Sequence, residues 1–204
     1  FSSSERWGVA FNRYSWDLKS LIKSSKYPKE PLGDFAWINP SNAFELRPDD
    51  DVTFIPMESV DDKSGSVVSP YMKKIKQVKS GFTRFKNGDV IWAKITPCMQ
   101  NGKSAVMSNL VNGVGFGSTE FHVIRSKNKS ILKSEYIHLL LRIPQIRQAA
   151  TRYFVGSAGQ QRVTKQFLEK LHIPIMPIDD QNKLISLVQI ERRKIENQRQ
   201  KLMS

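Results

Sequence analysis

The stretch GDVIWAKITPCMQNGKSAVMSNLVNGVGFGSTEFH, residues 88–122, constrains this chain more than any other. Two runs in it, 90–95 and 104–107, are rich in apolar and β-branched residues and predict strands, and a glycine-rich turn is expected at 113–117. Small polar and cationic side chains stand between and after the strands: Lys94, Thr96, Gln100, Asn101, Lys103, Ser118 and Thr119. Strand, polar loop, strand, polar loop is how a rigid scaffold presents a binding surface.

The rest of the chain fits around such a sheet. Residues 1–30 are polar with spaced aromatics (Trp7, Phe11, Tyr14, Trp16), and Trp16, Leu18, Leu21 and Ile22 predict a short helix ending near Ser24. Pro28 and Pro31 break it, so this segment reads as a lead-in packed on the body. The body, 31–178, opens with a strand over 35–38, a turn at 39–42 and a strand over 52–57. Residues 73–79 fit an edge strand or a ragged loop, and Asn87-Gly88 signals a tight turn. A strand continues past His122 through Ile124, and a basic loop follows at 126–130. Ser134 is positioned to cap a buried helix, Pro144 to start a second one reaching about Phe154, and Thr164 to cap a short helix to Leu171. A glycine-hinged polar loop lies at 156–162 and a strand at 172–175. In the third segment, 179–204, Asp179 is expected to cap a long helix over 180–203. There Leu184, Val188, Ile195 and Leu202 recur at intervals of four and seven, a coiled-coil seam interrupted by Glu191 and Gln198. A stripe this narrow predicts a partner helix; the alternative is a helix lying back on its own domain.

The charge narrows the partners. The 204 residues, enough for one domain or one domain plus an appendage, carry 32 Lys and Arg against 19 Asp and Glu, for a net charge of +13. Such an excess points to a polyanion, either nucleic acid or an anionic membrane surface, with an acidic protein face as the alternative. Residues 40–62 hold seven acids and one base, which reads either as edges turned away from a polyanion or as solvated loops. Residues 71–103 hold eight bases and one acid, and 125–165 nine bases and one acid. Cys98 is the one cysteine, so no intrachain disulfide is possible and a reducing, cytoplasmic setting fits. No run approaches the ~18 apolar residues of a membrane span. The chain begins at Phe1 without a charged-then-apolar leader, and reads as a piece of a longer protein.

A catalytic set is not expected. Asp89 with Lys94, or Glu120 with His122, becomes an acid–base pair only by force. A magnesium-dependent nuclease needs clustered carboxylates, which the basic segments lack. His122, His138 and His172 have no zinc spacing. The glycines at 113, 115 and 117 lack the Gly-Lys-Ser/Thr phosphate cradle, and no methyltransferase motif of the Asn-Pro-Pro-Tyr type is visible. A reading surface remains. Gln and Asn read adenine edges, Arg and Lys read guanine, and cations hold phosphates. The candidate DNA-binding set is Lys94, Thr96, Asn101, Lys103, Ser118, Thr119, Gln160, Gln161, Arg162 and Lys165. Each taken singly has a plainer reading: Thr119 closing a turn, Gln160 satisfying backbone.

Several of these residues lie in motifs that occur together elsewhere. GDVIWAKITPCMQNGK (88–103), GVGFGSTEFHVIR (113–125), GSAGQQRV (156–163) and IPIMPIDDQNKL (173–184) resemble, in that order, the target-recognition domain of type I restriction–modification specificity subunits. PLGDFAWINPS (31–41) and TFIPMESV (53–60) resemble its start. The resemblance implies a mixed α+β fold: a twisted, mostly antiparallel sheet with flanking helices, followed by a long coiled-coil-type helix. It implies sequence-specific binding of double-stranded DNA, with base-reading side chains also expected in loops such as 62–86 or 126–130. The implied partners are adenine methyltransferase subunits, restriction and translocase subunits, and a second recognition unit reached through the C-terminal helix. S-adenosylmethionine, ATP and magnesium are then expected on those partners and none on this chain. A recognition domain fused to a methyltransferase–endonuclease, a magnesium-dependent endonuclease and a pure assembly module are the alternatives.

Overall fold

The structure, a computed structural model, describes residues 27–41, 45–157 and 159–203. The expected lead-in helix, with Trp7, Phe11, Tyr14 and Trp16, lies outside the described residues. The described chain starts with β1 (Lys29–Pro31), one helical turn α1 (Leu32–Phe35) and β2 (Ala36–Ile38), so the strand expected from Phe35 begins one residue later. Then come β3 (Asp51–Ile55), the short hairpin β4 (Val60–Asp61) and β5 (Ser66–Val67), β6 (Tyr71–Lys74), α2 (Ile75–Val78) and β7 (Thr83–Lys86). The organising stretch supplies β8 (Val90–Ala93), α3 (Cys98–Asn101), β9 (Ser104–Val106), β10 (Val114–Gly117) and β11 (Phe121–Ser126). Helices α4 (Ser134–Leu141) and α5 (Pro144–Ala150), the hairpin β12 (Phe154–Val155) and β13 (Arg162–Val163), α6 (Lys165–Lys170), β14 (His172–Pro174) and α7 (Ile178–Met203) complete it.

Two four-stranded sheets form the body. One is antiparallel throughout, in the order β2-β11-β8-β9; the other runs β6-β3-β10-β7, and only its β3–β10 pair is parallel. The antiparallel sheet is buried on both faces. Val90, Trp92 and Ile124 pack with Tyr136, Leu140 and Phe167 of the helices, whereas Ile91, Ala93 and Val123 pack with Ile55 and Phe85 of the mixed sheet. Burial on both faces is why β8 reads as the unbroken apolar run VIWA and not as an alternation. Val52, Phe54 and Phe116 carry the outer face of the mixed sheet, under α2.

The glycine-rich segment is not a turn. Val114–Gly117 is a buried central strand, paired with β3 on one side and β7 on the other. The Phe85 ring packs against it: a Cβ on Gly115 would stand 2.2 Å from that ring, and one on Gly117 would stand 2.3 Å from the Ile55 carbonyl oxygen. The second obstacle is backbone and cannot swing aside. Gly117→Ala is expected to destabilise the fold by about 1–3 kcal/mol, read as a lowered urea midpoint with unchanged slope. The Asn87-Gly88 turn, with Gly88 at φ 86°, forms no hairpin either: it hands the chain from β7 in one sheet to β8 in the other.

Other details differ from the sequence reading for identifiable reasons. Ser134 is the first residue of α4 and not its cap; its hydroxyl donates to the Gly88 carbonyl. Asp179 lies inside the first turn of α7. The acids at 49–51 are not free edges: Asp49 pairs with Lys76 at 2.7 Å and Asp51 with Lys74 at 2.8 Å. Gln181, fully buried, donates to Ile131 O (2.7 Å) and Met176 O (2.8 Å) and accepts from Lys133 N (3.0 Å), tying α7 to the loop before α4.

The seam on α7 is corrected in its first half. Val188 is buried at 6% exposure, and Leu184 packs on the main core cluster beside α4. These two side chains cover the chain's own body, the alternative that the periodicity left open. Ile195 is half-buried, and the side chain of Leu202 lies outside the described residues. Among the described side chains of this helix, Leu187 and Ile190 are the exposed large apolar ones.

His138 sits under the same helix, with Nε2 3.2 Å from the Ser104 carbonyl. Burial, reinforced by Arg142 and Arg192, pushes its pKa from 6.5 down to about 3. The unfolded chain therefore takes up a proton below pH 6.5 that the folded chain refuses. Stability present above that pH is lost as pH falls from 6.5 toward about 3. His138→Gln is expected to flatten this fall, measured as thermal midpoint against pH.

Candidate nucleic-acid interface

Three segments distant in sequence meet at one end of the antiparallel sheet. Past the end of β8, the Lys94 N–H donates to Glu120 O (2.9 Å) and the Lys94 carbonyl accepts from Val163 N (2.8 Å). Ile95 bridges to Arg162, and Thr96 N donates to Gln161 O at 2.9 Å. The turn after β10 is closed by Ser118, whose carbonyl accepts from Phe121 N and whose hydroxyl accepts from Glu120 N. Lys94, Thr96, Ser118, Thr119, Gln160, Gln161 and Arg162 are thereby brought together.

His122 bolts this corner from below. Its Nε2–H donates to Val163 O (2.8 Å), and Nδ1 accepts from the Asn39 side-chain amide (3.0 Å). Asn39 adopts the left-handed conformation, φ 53°, and its Oδ1 accepts from Val123 N at 2.9 Å. Burial pushes the His122 pKa down, so the ring is neutral and spans three segments. It is not the partner of Glu120.

Glu120 belongs to Arg162. The guanidinium meets the carboxylate at two points, Nε–Oε2 at 2.9 Å and Nη2–Oε1 at 2.8 Å, while Nη1 donates to Gln160 O at 2.7 Å. These hydrogen bonds hold the Glu120 carboxyl below its ordinary range against an opposing burial effect. Arg162 thus fixes the β12–β13 loop to the turn at 118–120, and its fork is already engaged in a way that two-point guanine reading would have to undo. Lys103 is likewise corrected from a surface cation to a tie within the fold: Nζ donates to Met57 O (3.1 Å) and Val60 O (2.7 Å). Asn101 is exposed at the end of α3, which packs against α5. Lys165 is exposed and pairs with Glu169 one turn along α6, at 3.1 Å. Asp89 pairs with Arg125, not with Lys94.

Beside the joined segments lies a depression of about 420 Å³. Ser41, Thr83, Arg84, Lys94 and Thr119 line it, over Phe121 of β11. Hydroxyls and two cations around an open concavity are a donor set for phosphate oxygens. Thr83 and Arg84 fall within the region 62–86 where reading side chains were expected, but neither was singled out by residue. The alternation in β7 hinted at the second of them: Phe85 points inward, so its neighbour Arg84 points out, where its guanidinium donates to the Lys79 carbonyl and lies over the Phe116 ring. Among the described residues no group of three or more His, Cys, Asp or Glu could hold a metal ion. Among the same residues no helix is long and apolar enough to cross a membrane.

The comparisons with known proteins agree with this architecture. The family model described as "type I restriction modification DNA specificity domain" matches residues 25–203. The chain is 35% identical over 171 residues to the type I restriction enzyme EcoAI specificity subunit of Escherichia coli, and 36% identical over 174 residues to the EcoEI specificity subunit of the same organism. Those alignments cover 80% and 85% of this chain but 29% of each relative. Among solved structures, the HsdS subunit from Thermoanaerobacter tengcongensis superposes with a TM-score of 0.68 at 22% identity, over 86% of this chain and 44% of that one. The expected fold class, mixed α and β with antiparallel sheet and a C-terminal helix, holds. This chain belongs to the type I restriction modification DNA specificity domain family.

Proposed function

We propose that this chain is a non-catalytic recognition unit that selects a DNA sequence for partner enzymes. The observation that carries the reading is the convergence of 94–96, 118–120 and 160–163 beside a depression bearing Arg84 and Lys94. The charge balance supports it: the chain carries 32 Lys and Arg against 19 Asp and Glu, a net charge of +13 that its own acids cannot neutralise. The unit reads one half of a split target in double-stranded DNA. A second unit, covalently joined or from a second copy, reads the other half, with contact through the C-terminal part of α7 around Ile195. Adenine methyltransferase subunits dock on the assembly and bind S-adenosylmethionine, and restriction and translocase subunits bring ATP and magnesium. All of this takes place in the cytoplasm, where Cys98 stays reduced.

The test is a mobility shift of the chain with its methyltransferase partner on duplex DNA. Arg84→Ala and Lys94→Ala should each weaken binding about equally on every sequence and lower the salt slope by about one. Wild-type binding by both variants would move the interface elsewhere. Cleavage of plasmid by the purified chain with magnesium would replace the reading with a nuclease.

A further inference from the structure

Trp37 is 50% exposed on β2, an edge strand of the antiparallel sheet. Its neighbours Ala36 and Ile38 are buried under the helices, so strand alternation turns the indole to the opposite face. On that face its register partner is Arg125, whose guanidinium Asp89 holds at two points. Val123 and Phe121 continue along β11 on the same face, and both line the depression that holds Arg84 and Lys94. Ser41, four residues after Trp37, lines it too. Trp37 itself does not line the depression, but Asn39, two residues on, does; among the described residues β2 has no further strand on its outer side.

A large aromatic at such a place has a use that the core does not supply. Aromatic and apolar side chains beside phosphate-holding cations pack against base faces, and sheet-based DNA readers push them between base steps. We propose that Trp37 is an apolar wedge that packs against an unstacked base step of the bound duplex, while Arg84 and Lys94 hold the flanking phosphates. This rests on the reading of the chain as a DNA-recognition unit. The wedge adds a sequence preference that hydrogen-bond donors alone would not give, because flexible pyrimidine–purine steps unstack most easily.

The experiment uses the chain with its methyltransferase partner and target duplexes carrying 2-aminopurine at successive steps other than the methylated adenine. Wild type is expected to raise the fluorescence at one step. Trp37→Ala should abolish the rise and weaken binding about tenfold or more, and Trp37→Phe should keep most of both. If Trp37→Ala keeps the rise and binds as wild type does, with the salt dependence intact, the wedge is wrong and the DNA reading stands. If wild type binds no duplex, both fall. Loss of methyltransferase association by Trp37→Ala, with DNA contacts unchanged, makes Trp37 a protein contact and overturns the proposal.

Discussion

Asp89→Ala is expected to lower folding stability by about 3–5 kcal/mol, the largest effect of any single substitution considered for this chain. The carboxylate is 1% exposed. Its Oδ1 accepts from Arg125 Nε and its Oδ2 from Arg125 Nη2, both at 2.7 Å, and Oδ2 also accepts from Lys86 N at 2.8 Å. One side chain therefore closes the turn between β7 and β8 and neutralises a guanidinium on β11 that is only 12% exposed. Alanine leaves that guanidinium without its carboxylate and the partly buried Lys86 N–H without its acceptor. The double replacement Asp89→Leu, Arg125→Met removes both charges together and should be milder than Asp89→Ala alone, because an uncompensated buried charge is the expensive species. Urea denaturation of the three proteins measures this. Equal stability of Asp89→Ala and wild type would mean that the pair is solvated.

Raising salt from about 50 to about 200 mM is expected to weaken duplex binding about a thousandfold, if about six phosphates are contacted. Arg84 and Lys94 line the depression, and Lys86 and Lys129 are exposed on neighbouring segments. Each phosphate contact releases condensed counterions, so the logarithm of affinity falls linearly with the logarithm of salt. A slope near zero would leave the net charge of +13 without a polyanion to meet it. Fluorescence anisotropy on a labelled duplex gives the slope directly.

Much of the fold was legible because burial on both faces leaves a strong trace in sequence. The apolar runs of β8 and β11, the Pro144 helix start and the long C-terminal helix follow from local pattern. What was hidden depends on partners far along the chain. β10 shows glycines where Phe85, thirty residues away in Gly115's case, needs flat backbone, and the local reading of such glycines is a turn. Arg162 in a polar loop has the signature of a DNA contact, and only its pairing with Glu120, 42 positions earlier, reveals a brace. The same holds for Lys103, whose acceptors are the carbonyls of Met57 and Val60. On α7 the periodicity identified an apolar stripe, but a stripe does not tell whether its cover is another helix or the chain's own α4. The joined segments around Lys94 were half legible: their polar side chains were picked out, whereas Arg84 and Thr83 entered through the packing of one sheet against the other.

The central claim is that this surface chooses a DNA site and leaves bond-making to partners. Mapping adenine methylation in cells with and without the chain identifies the site, and titration of the purified complex then measures preference for it. The claim predicts one motif methylated only when the chain is present, bound at least about a thousandfold more tightly than a shuffled duplex at matched salt. Equal affinity for motif and shuffled DNA would contradict it.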